Sequence, residues 1–138
     1  MSALDRDHNI VRNALIKDGW IITNDPLTLK YGERNLFVDL GAEKVIAAER
    51  GTEKIAVEVK GFTGSSEVTE LHRATGQYVL YSHVLGQVEP ERRLILAVPD
   101  DVLRSVFQED IGELLIRNGT LQVVGYDPVR EELTRWLP

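Results

Sequence analysis

Residues near the start of the chain recur at intervals of three and four. The recurring positions are Leu4, His8, Val11, Ala14 and Leu15, and Gly19 follows them. This spacing places their side chains on one face of a helix, and a glycine after the last of them is typical of a helix C-terminus. The pattern predicts an amphipathic first helix that ends at Gly19.

Short segments rich in apolar and β-branched residues follow the first helix and predict strands. These segments are residues 20–23, 27–30, 36–40, 44–48 and 53–60, separated by turn signals at residues 24–26, 31–33, 41–43 and 49–52. Glycine, proline, asparagine and aspartate in the separators favour turns because they tolerate turn conformations or bond to their own backbone. We therefore expect several short strands before the middle of the chain.

The second half of the chain alternates between helical and strand patterns. A long helix is predicted over residues 67–85, with Ser65 or Ser66 as N-cap and a stop at Gly86. Residues 93–98 form an apolar run typical of a strand covered on both faces, and we expect it to be central. A helix to Asn118, a strand over 121–126 and an edge strand over 133–137 complete the pattern. The order predicts an α/β fold with one mixed sheet flanked by helices, in a single domain over residues 1–138.

Composition supports one soluble domain with its own core. The chain has 138 residues, of which 43% are hydrophobic and 28% charged, and it has no cysteine. Disulfide scaffolds, thiolate zinc sites and cysteine nucleophiles are thereby excluded. We expect a cytoplasmic protein without a membrane partner, since no apolar run is long enough to span a bilayer and the first residues lack signal-peptide features. The net charge of −6 argues against a broad surface for binding polyanions.

One strand carries two charged residues that could do chemistry. Alternation along residues 55–60 places Glu58 and Lys60 on one face, roughly 7 Å apart, and Ile55, Val57 and Val59 on the other. The simple interpretation is a solvated face with an ion pair, because a Glu-x-Lys pattern arises by chance about once in two chains of this kind. The pattern by itself therefore indicates little.

Asp39 changes that interpretation. It lies in residues 36–40, where Leu36, Val38 and Leu40 are expected to face one way and Asp39 the other. If the two strands lie near each other, Asp39, Glu58 and the carbonyl of Val59 could form the oxygen ligands that Mg²⁺ prefers. Lys60 could then hold the attacking water and stabilise charge on a phosphate. This constellation suits metal-dependent phosphodiester hydrolysis.

Other polar residues have simpler interpretations. His8 is expected to be a partly buried helix residue, whereas His72 and His83 lack metal-ligand spacing and should be solvated. Asp25-Pro26 is interpreted as a turn. Arg73, Arg92 and Arg93 are candidate phosphate contacts, for which solvated surface is the simpler interpretation.

Several longer motifs resemble a known family. They are Asp18-Gly-Trp20, residues 23–32 (Thr-Asn-Asp-Pro-Leu-Thr-Leu-Lys-Tyr-Gly), Val38-Asp-Leu-Gly-Ala-Glu43, Ala56-Val-Glu-Val-Lys60, Gly76-Gln-Tyr78 and Leu96-Ala-Val-Pro99. In this order they resemble the XisH family, the cyanobacterial fdxN element excision controlling factors. Asp39 with Glu58-Val-Lys60, followed by Gln77-Tyr-Val-Leu-Tyr81, also resembles the PD-(D/E)XK nuclease superfamily.

The resemblance implies a restriction-endonuclease-like αβββαβ core and a role in programmed DNA excision. It implies metal-binding Asp39 and Glu58, a catalytic Lys60, and Gln77 and Tyr81 bordering the site. Expected partners are DNA, an XisI-like companion factor and a site-specific recombinase, with Mg²⁺ or Mn²⁺ as cofactor.

Two functions stay open at this point. One is a metal-dependent DNA endonuclease, and the other is a non-catalytic accessory factor that retains the nuclease fold. A homo-oligomer is a further expectation, because Trp136 and Leu137 on the last strand could form an edge contact.

Overall fold

The computed structural model describes residues 3–47 and 51–138. In this part of the chain, one helix is followed by five strands and then by a mixture of helices and strands. The elements are α1 (Ala3–Lys17), β1 (Ile21–Asn24), β2 (Leu27–Tyr31), β3 (Arg34–Val38), β4 (Leu40–Ala47), β5 (Gly51–Val59), α2 (Glu67–Val88), β6 (Arg92–Pro99), α3 (Asp100–Leu103), a 3₁₀ turn (Val106–Gln108), α4 (Asp110–Arg117), β7 (Val123–Asp127) and β8 (Glu132–Leu137). Within the described ranges, no helix is both long and apolar enough to cross a membrane.

Six strands form one mixed sheet in the order β1-β4-β5-β6-β7-β8, and β2 pairs with β3 in a separate ribbon. The pairs β5–β6 and β6–β7 are parallel, and the other pairs are antiparallel. Without the inserted ribbon, α1, β1, β4, β5, α2 and β6 follow one another as αβββαβ. The predicted α/β class and mixed sheet are confirmed.

The sheet separates two hydrophobic clusters. One cluster contains Val57 and Val59 of β5 with the buried side chains of α1, and the other contains Ala56 with the side chains of α2 and the β2–β3 ribbon. The predicted alternation of β5 is therefore confirmed. Residues 94–98 of β6 are each at most 5% exposed, which confirms a central strand covered on both faces.

The strand predicted over residues 36–40 is wrong in its bounds, because the chain bends at Asp39 and β4 begins at Leu40. The turn predicted at residues 41–43 lies inside β4. Gly41 serves close packing there, since a Cβ atom at this position would lie 2.9 Å from Asn24 Oδ1. Ala48 of the strand predicted over 44–48 lies outside the described residues. The same is true of Glu49 and Arg50 in the turn predicted over residues 49–52, whose last two residues, 51–52, belong to β5.

Two helix predictions are also corrected. The helix α2 begins after the predicted N-cap Ser66, whose Oγ accepts from the Thr69 N–H, but it passes through Gly86 and ends at Val88. The single helix predicted up to Asn118 is divided into α3, the 3₁₀ turn and α4. A Cβ at Gly112 would overlap the Val106 carbonyl, so the glycine lets α4 fold back on the turn.

The last strand is β8, as predicted, and its aromatic residue has a partner in this chain. Trp136 and Leu137 are half-buried, and the Trp136 ring lies 6.2 Å from the Trp20 ring. The residues on which the expectation of a homo-oligomer depends are thus packed against the two intrachain clusters.

Candidate active site

Asp39 lies at the bend between β3 and β4 and is tied to the end of β5. Its Oδ2 accepts a hydrogen bond from the Val59 N–H at 2.7 Å. Its own N–H donates to Glu58 Oε1 at 3.3 Å. The two bonds bring the carboxyl groups of Asp39 and Glu58 together at the edge of the sheet formed by strand ends, where β4 begins and β5 ends.

Glu58 is a buried acid, with 6% of the residue exposed. Burial raises its pKa from an ordinary 4.5 to about 8, the charge of Asp39 adds to this effect, and Lys60 opposes it. Without a bound cation, Glu58 therefore retains a proton at neutral pH. A cation placed between the two carboxyl groups would offset the two effects that raise the Glu58 pKa, burial and the Asp39 charge. It would therefore favour the ionised form.

Lys60 follows the last residue of β5 and lies beside Glu58. Its Nζ is 3.7 Å from Glu58 Oε2, and its backbone N–H donates to the Ala97 carbonyl at 2.9 Å. The hydrogen bond to β6 extends the strand pairing by one residue and fixes the Lys60 backbone. The Lys60 side chain is about one-third exposed, at 32%, so its ammonium group can reach both the carboxyl pair and solvent.

His8 belongs to this edge, although sequence analysis predicted only a partly buried helix residue. Its Nε2 is 2.6 Å from Asp25 Oδ1, and its Nδ1 is 3.8 Å from Asp39 Oδ1. Arg12, one helical turn further along α1, donates from Nε to Asp25 Oδ2 at 3.1 Å. No local pattern could have revealed these contacts, because they depend on how β1 returns the chain to α1.

A carboxyl group of α1 was also missed. Asp7 is 6% exposed, and a Cβ atom at Gly61 would overlap its carboxylate. The glycine thus allows Asp7 to approach the chain immediately after Lys60. Asp7 also faces Tyr126, whose pKa is raised first by burial and then by this carboxylate.

Gln77 and Tyr81 lie in the middle of the helix α2. Both are half-buried, and Tyr81 packs against the cluster under α2. Between them, the Tyr78 hydroxyl donates to the Leu94 carbonyl at 2.7 Å. Among the described residues, no hydrogen bond or ion pair joins Gln77 or Tyr81 to Asp39, Glu58 or Lys60. Their role at the border of the site stays a prediction.

The simple interpretation of the arginine pair holds for only one of its members. Arg92 is buried, at 8% exposure, and donates from Nη1 to the Ile55 carbonyl at 2.9 Å. Solvated surface is therefore wrong for Arg92, whose side chain is bonded to the middle of β5. Arg93 is exposed and pairs with Glu53.

The chemistry of the donors fits a hard divalent ion. Asp39, Glu58 and the Val59 carbonyl offer oxygen atoms at one edge, and ions such as Mg²⁺ combine a few protein oxygens with several waters. No group of three or more His, Asp or Glu side chains in residues 3–47 and 51–138 is arranged to hold an ion. A cavity of about 550 Å³ lies elsewhere, lined by α3, α4 and β8, and it contains none of the predicted site residues.

Comparison with known proteins agrees with this architecture. The family model described as XisH protein matches residues 1–134. The chain belongs to the XisH family. Its fold is similar to the crystal structure of an XisH family protein from Nostoc punctiforme PCC 73102, with a TM-score of 0.86 and 41% identity over 97% of this chain and 100% of that one.

A second XisH relative is an fdxN element excision controlling factor protein from Anabaena variabilis. It has a TM-score of 0.86 and 41% identity over 97% of this chain and 99% of that one. No curated protein matches the chain. The predicted family is confirmed, and the two relatives support the αβββαβ interpretation of the fold.

Proposed function

We propose that this XisH family protein acts in programmed DNA excision as a divalent-metal-dependent endonuclease. The observation that carries the proposal is the meeting of Asp39 and Glu58 at one sheet edge, with the Lys60 ammonium 3.7 Å from Glu58. A buried carboxyl group whose pKa is raised by burial and by a neighbouring carboxylate, with a lysine beside it, is unusual for a purely structural surface.

Each residue has a role in hydrolysis of a DNA phosphodiester. Asp39, Glu58 and the Val59 carbonyl would hold Mg²⁺ or Mn²⁺, which when bound supplies Lewis-acid stabilisation of charge on the phosphate. Lys60 donates a hydrogen bond that orients the attacking water and stabilises the negative charge that develops on phosphorus-bound oxygens. The water oxygen bonds to phosphorus as the bond to the 3′ oxygen breaks, while the water loses a proton to solvent and the 3′ oxygen takes one up from solvent. Gln77 and Tyr81 would border this site.

We propose that the reaction takes place in a cytoplasmic complex with a companion factor and a site-specific recombinase. A protein that grips DNA alone neutralises several phosphates with a basic surface, whereas this chain carries a net charge of −6. Partners that supply basic surface would remove this obstacle. The name of the Anabaena variabilis relative, an excision controlling factor, agrees with a role in such a complex.

The second candidate function is a non-catalytic accessory factor. It is favoured by the same acidic charge and by the lack of a third side-chain ligand in the described part of the chain. Such a factor would need no divalent ion at Asp39 and Glu58.

Metal titration with a nicking assay tests the endonuclease. Mg²⁺ and Mn²⁺ are titrated calorimetrically into the wild type, Glu58→Ala, Lys60→Met and the control Glu33→Ala, which changes an exposed carboxylate in the β2–β3 turn. The same samples are incubated with supercoiled plasmid. We expect Glu58→Ala to lose both binding and nicking, and Lys60→Met to keep binding while nicking falls about 100-fold or more.

Other outcomes separate the two candidate functions. Metal binding without nicking in the wild type supports the metal site and indicates that a partner or a specific DNA sequence is required. Neither binding nor nicking in the wild type would reject the endonuclease and leave the accessory factor.

A further inference from the structure

The β2–β3 ribbon has one face in the core and one face in solvent. Four apolar side chains on the first face pack in the cluster under α2: Leu27, Leu29, Leu36 and Val38. Because side chains alternate along a strand, the next residues face the other way. Four exposed side chains form this second face, the outer ribbon face: Thr28, Lys30, Asn35 and Phe37. The core therefore does not determine which residues occupy the outer ribbon face.

Phe37 is the aromatic residue of the outer ribbon face, and it lies close to the proposed metal ligands. The residue is 55% exposed. It precedes Asp39 by two positions, so the two Cα atoms are at most about 7 Å apart. Successive nucleotides in one strand of duplex DNA rise by about 3.4 Å. A base one or two nucleotides away from a phosphate at Asp39 can therefore reach the Phe37 ring.

The neighbours of Phe37 on the outer ribbon face are polar or basic. Thr28 pairs with Phe37 across the ribbon, and Lys30 pairs with Asn35. Lys30 is thus a diagonal neighbour of Phe37, at a separation that long side chains can span. The face has one positive charge and no carboxylate, in a chain whose net charge is −6. This charge is complementary to a phosphate that lies next to a base stacked on the ring.

Phe37 differs from other exposed apolar residues of this chain. A single exposed hydrophobic residue is common on protein surfaces and by itself indicates nothing. Tyr31, at 52% exposure, lies at the tip of the ribbon and lines a groove against α2. Phe37 instead combines an exposed ring, a lysine neighbour and a position two residues from Asp39. An aromatic ring beside a basic side chain is typical of surfaces that bind single-stranded nucleic acid, whereas protein-binding patches are more continuously apolar.

We propose that the outer ribbon face binds unpaired DNA, with one base stacked on the Phe37 ring and a neighbouring phosphate at the Lys30 ammonium. The inference rests on the proposed function and names its substrate class, which is DNA with unpaired nucleotides beside the cleavage site. Within a duplex each base is covered by its neighbours, so only an unpaired or extruded base can stack on Phe37. Stacking adds affinity without further positive charge, which suits an acidic chain.

Fluorescence anisotropy in the absence of metal tests this binding separately from hydrolysis. A fluorescein-labelled oligothymidylate of about 12 nucleotides is titrated with the full chain at low ionic strength and in the presence of a chelator. A blunt duplex of the same length with the same label is the comparison. We expect the single strand to bind at least about tenfold more tightly than the duplex, because only its bases are free to stack.

Substitutions on the ribbon separate stacking from other contacts. Phe37→Ala should weaken the single-strand Kd by about 5- to 150-fold, the range expected for the loss of one stacked base. Phe37→Leu, which stays apolar but has no aromatic face, should weaken it as well, and Phe37→Trp should bind at least as tightly as the wild type. Lys30→Met should reduce the slope of log Kd against log salt concentration by about 0.7, as expected for one phosphate contact. The matched control Tyr31→Ala should bind as the wild type does.

Three results would overturn the inference: a Phe37→Ala variant that binds as the wild type does, a Phe37→Leu variant that does so, or a wild type that does not bind the single strand. The last result would leave Phe37 as a contact for a protein partner. Single-strand binding through Phe37 in a protein that binds no divalent ion would reject the proposed endonuclease and keep the inference. Metal-dependent nicking without single-strand binding would do the reverse, so the two failures are distinguishable.

Discussion

Replacing Glu58 with glutamine should make the metal-free protein more stable at alkaline pH. In the folded chain the pKa of Glu58 is raised to about 8, first by burial and then by Asp39, against 4.5 for an ordinary glutamate exposed to water. Between these values the folded state binds more protons than the unfolded state. Stability contributed by protonated Glu58 is thus fully present below about pH 4.5 and is lost as the pH rises through about 8.

The magnitude follows from the width of this window. Each pH unit between 4.5 and about 8 costs at most ~1.4 kcal/mol, which sets an upper bound of about 5 kcal/mol for the whole window. Relaxation around the pair and the attraction of Lys60 reduce the effect, so we expect about 2 kcal/mol. Glutamine reproduces the protonated acid, since its amide can donate to Asp39 and its oxygen can accept from the Asp39 N–H.

Urea denaturation from pH 5 to pH 9 in the presence of a chelator measures the effect. Glu58→Gln should match the wild type within about 1 kcal/mol at pH 5 and exceed it by about 2 kcal/mol at pH 8.5, or roughly 6–8 °C in Tm. Glu33→Gln, in the exposed turn of the ribbon, should follow the wild type at every pH. Parallel curves for Glu58→Gln and the wild type, or a less stable variant at pH 8.5, would refute the reasoning.

Two further predictions follow from the same structure. Because ion binding must displace the Glu58 proton, the Mg²⁺ Kd should fall as pH rises from 6 and level off above about 8, and titrations in buffers of different ionisation enthalpy should detect the released proton. Gly112→Ala should lower the free energy of unfolding by about 2–3 kcal/mol because its Cβ would overlap the Val106 carbonyl. Its matched control, Gly76→Ala, has open space around the added atom and should raise stability by about 0.5–1 kcal/mol, with urea denaturation as the measurement for both.

The part of the site that depends on strand alternation could be predicted from the sequence. Side chains of a strand alternate whatever its neighbours are, so Glu58 and Lys60 share a face in any sheet that contains β5. The hydrophobic clusters on the two faces bear this out, with Ala56 on one and Val57 on the other. Local periodicity was sufficient to predict which side chains share a face, because that property depends only on the strand itself.

The bend at Asp39 could not be predicted from local pattern. Residues 36–40 alternate without interruption, yet Val38 pairs with Leu27 in the ribbon while Leu40 pairs with Val57 in the main sheet. One segment thus serves two sheets, and the chain must change direction between them. The choice of partners is a tertiary effect, and it is this choice that turns the Asp39 carboxylate toward the Val59 N–H.

The contact between His8 and Asp25 could not be predicted from the sequence for a related reason. The residues are 17 positions apart, and only the return of the chain through β1 brings them together. A histidine on an otherwise apolar helical stripe is compatible with simple packing, so periodicity favoured that interpretation. Its second neighbour, Asp39, comes from yet another part of the chain.

In the proposed function, the bound cation would also solve an electrostatic problem that the acidity of this edge creates. Asp39 and Glu58 lie together, and two unit charges at about 4 Å interact by about 4 kcal/mol near a protein surface. A phosphodiester would meet this repulsion unless protons or a cation neutralise the carboxylates first. Protonation of Glu58 lessens the repulsion but removes a ligand, whereas a divalent ion lessens it and attracts the phosphate. In the proposed reaction the ion would therefore have to enter before the DNA, and partners would still supply the basic surface that this acidic chain lacks.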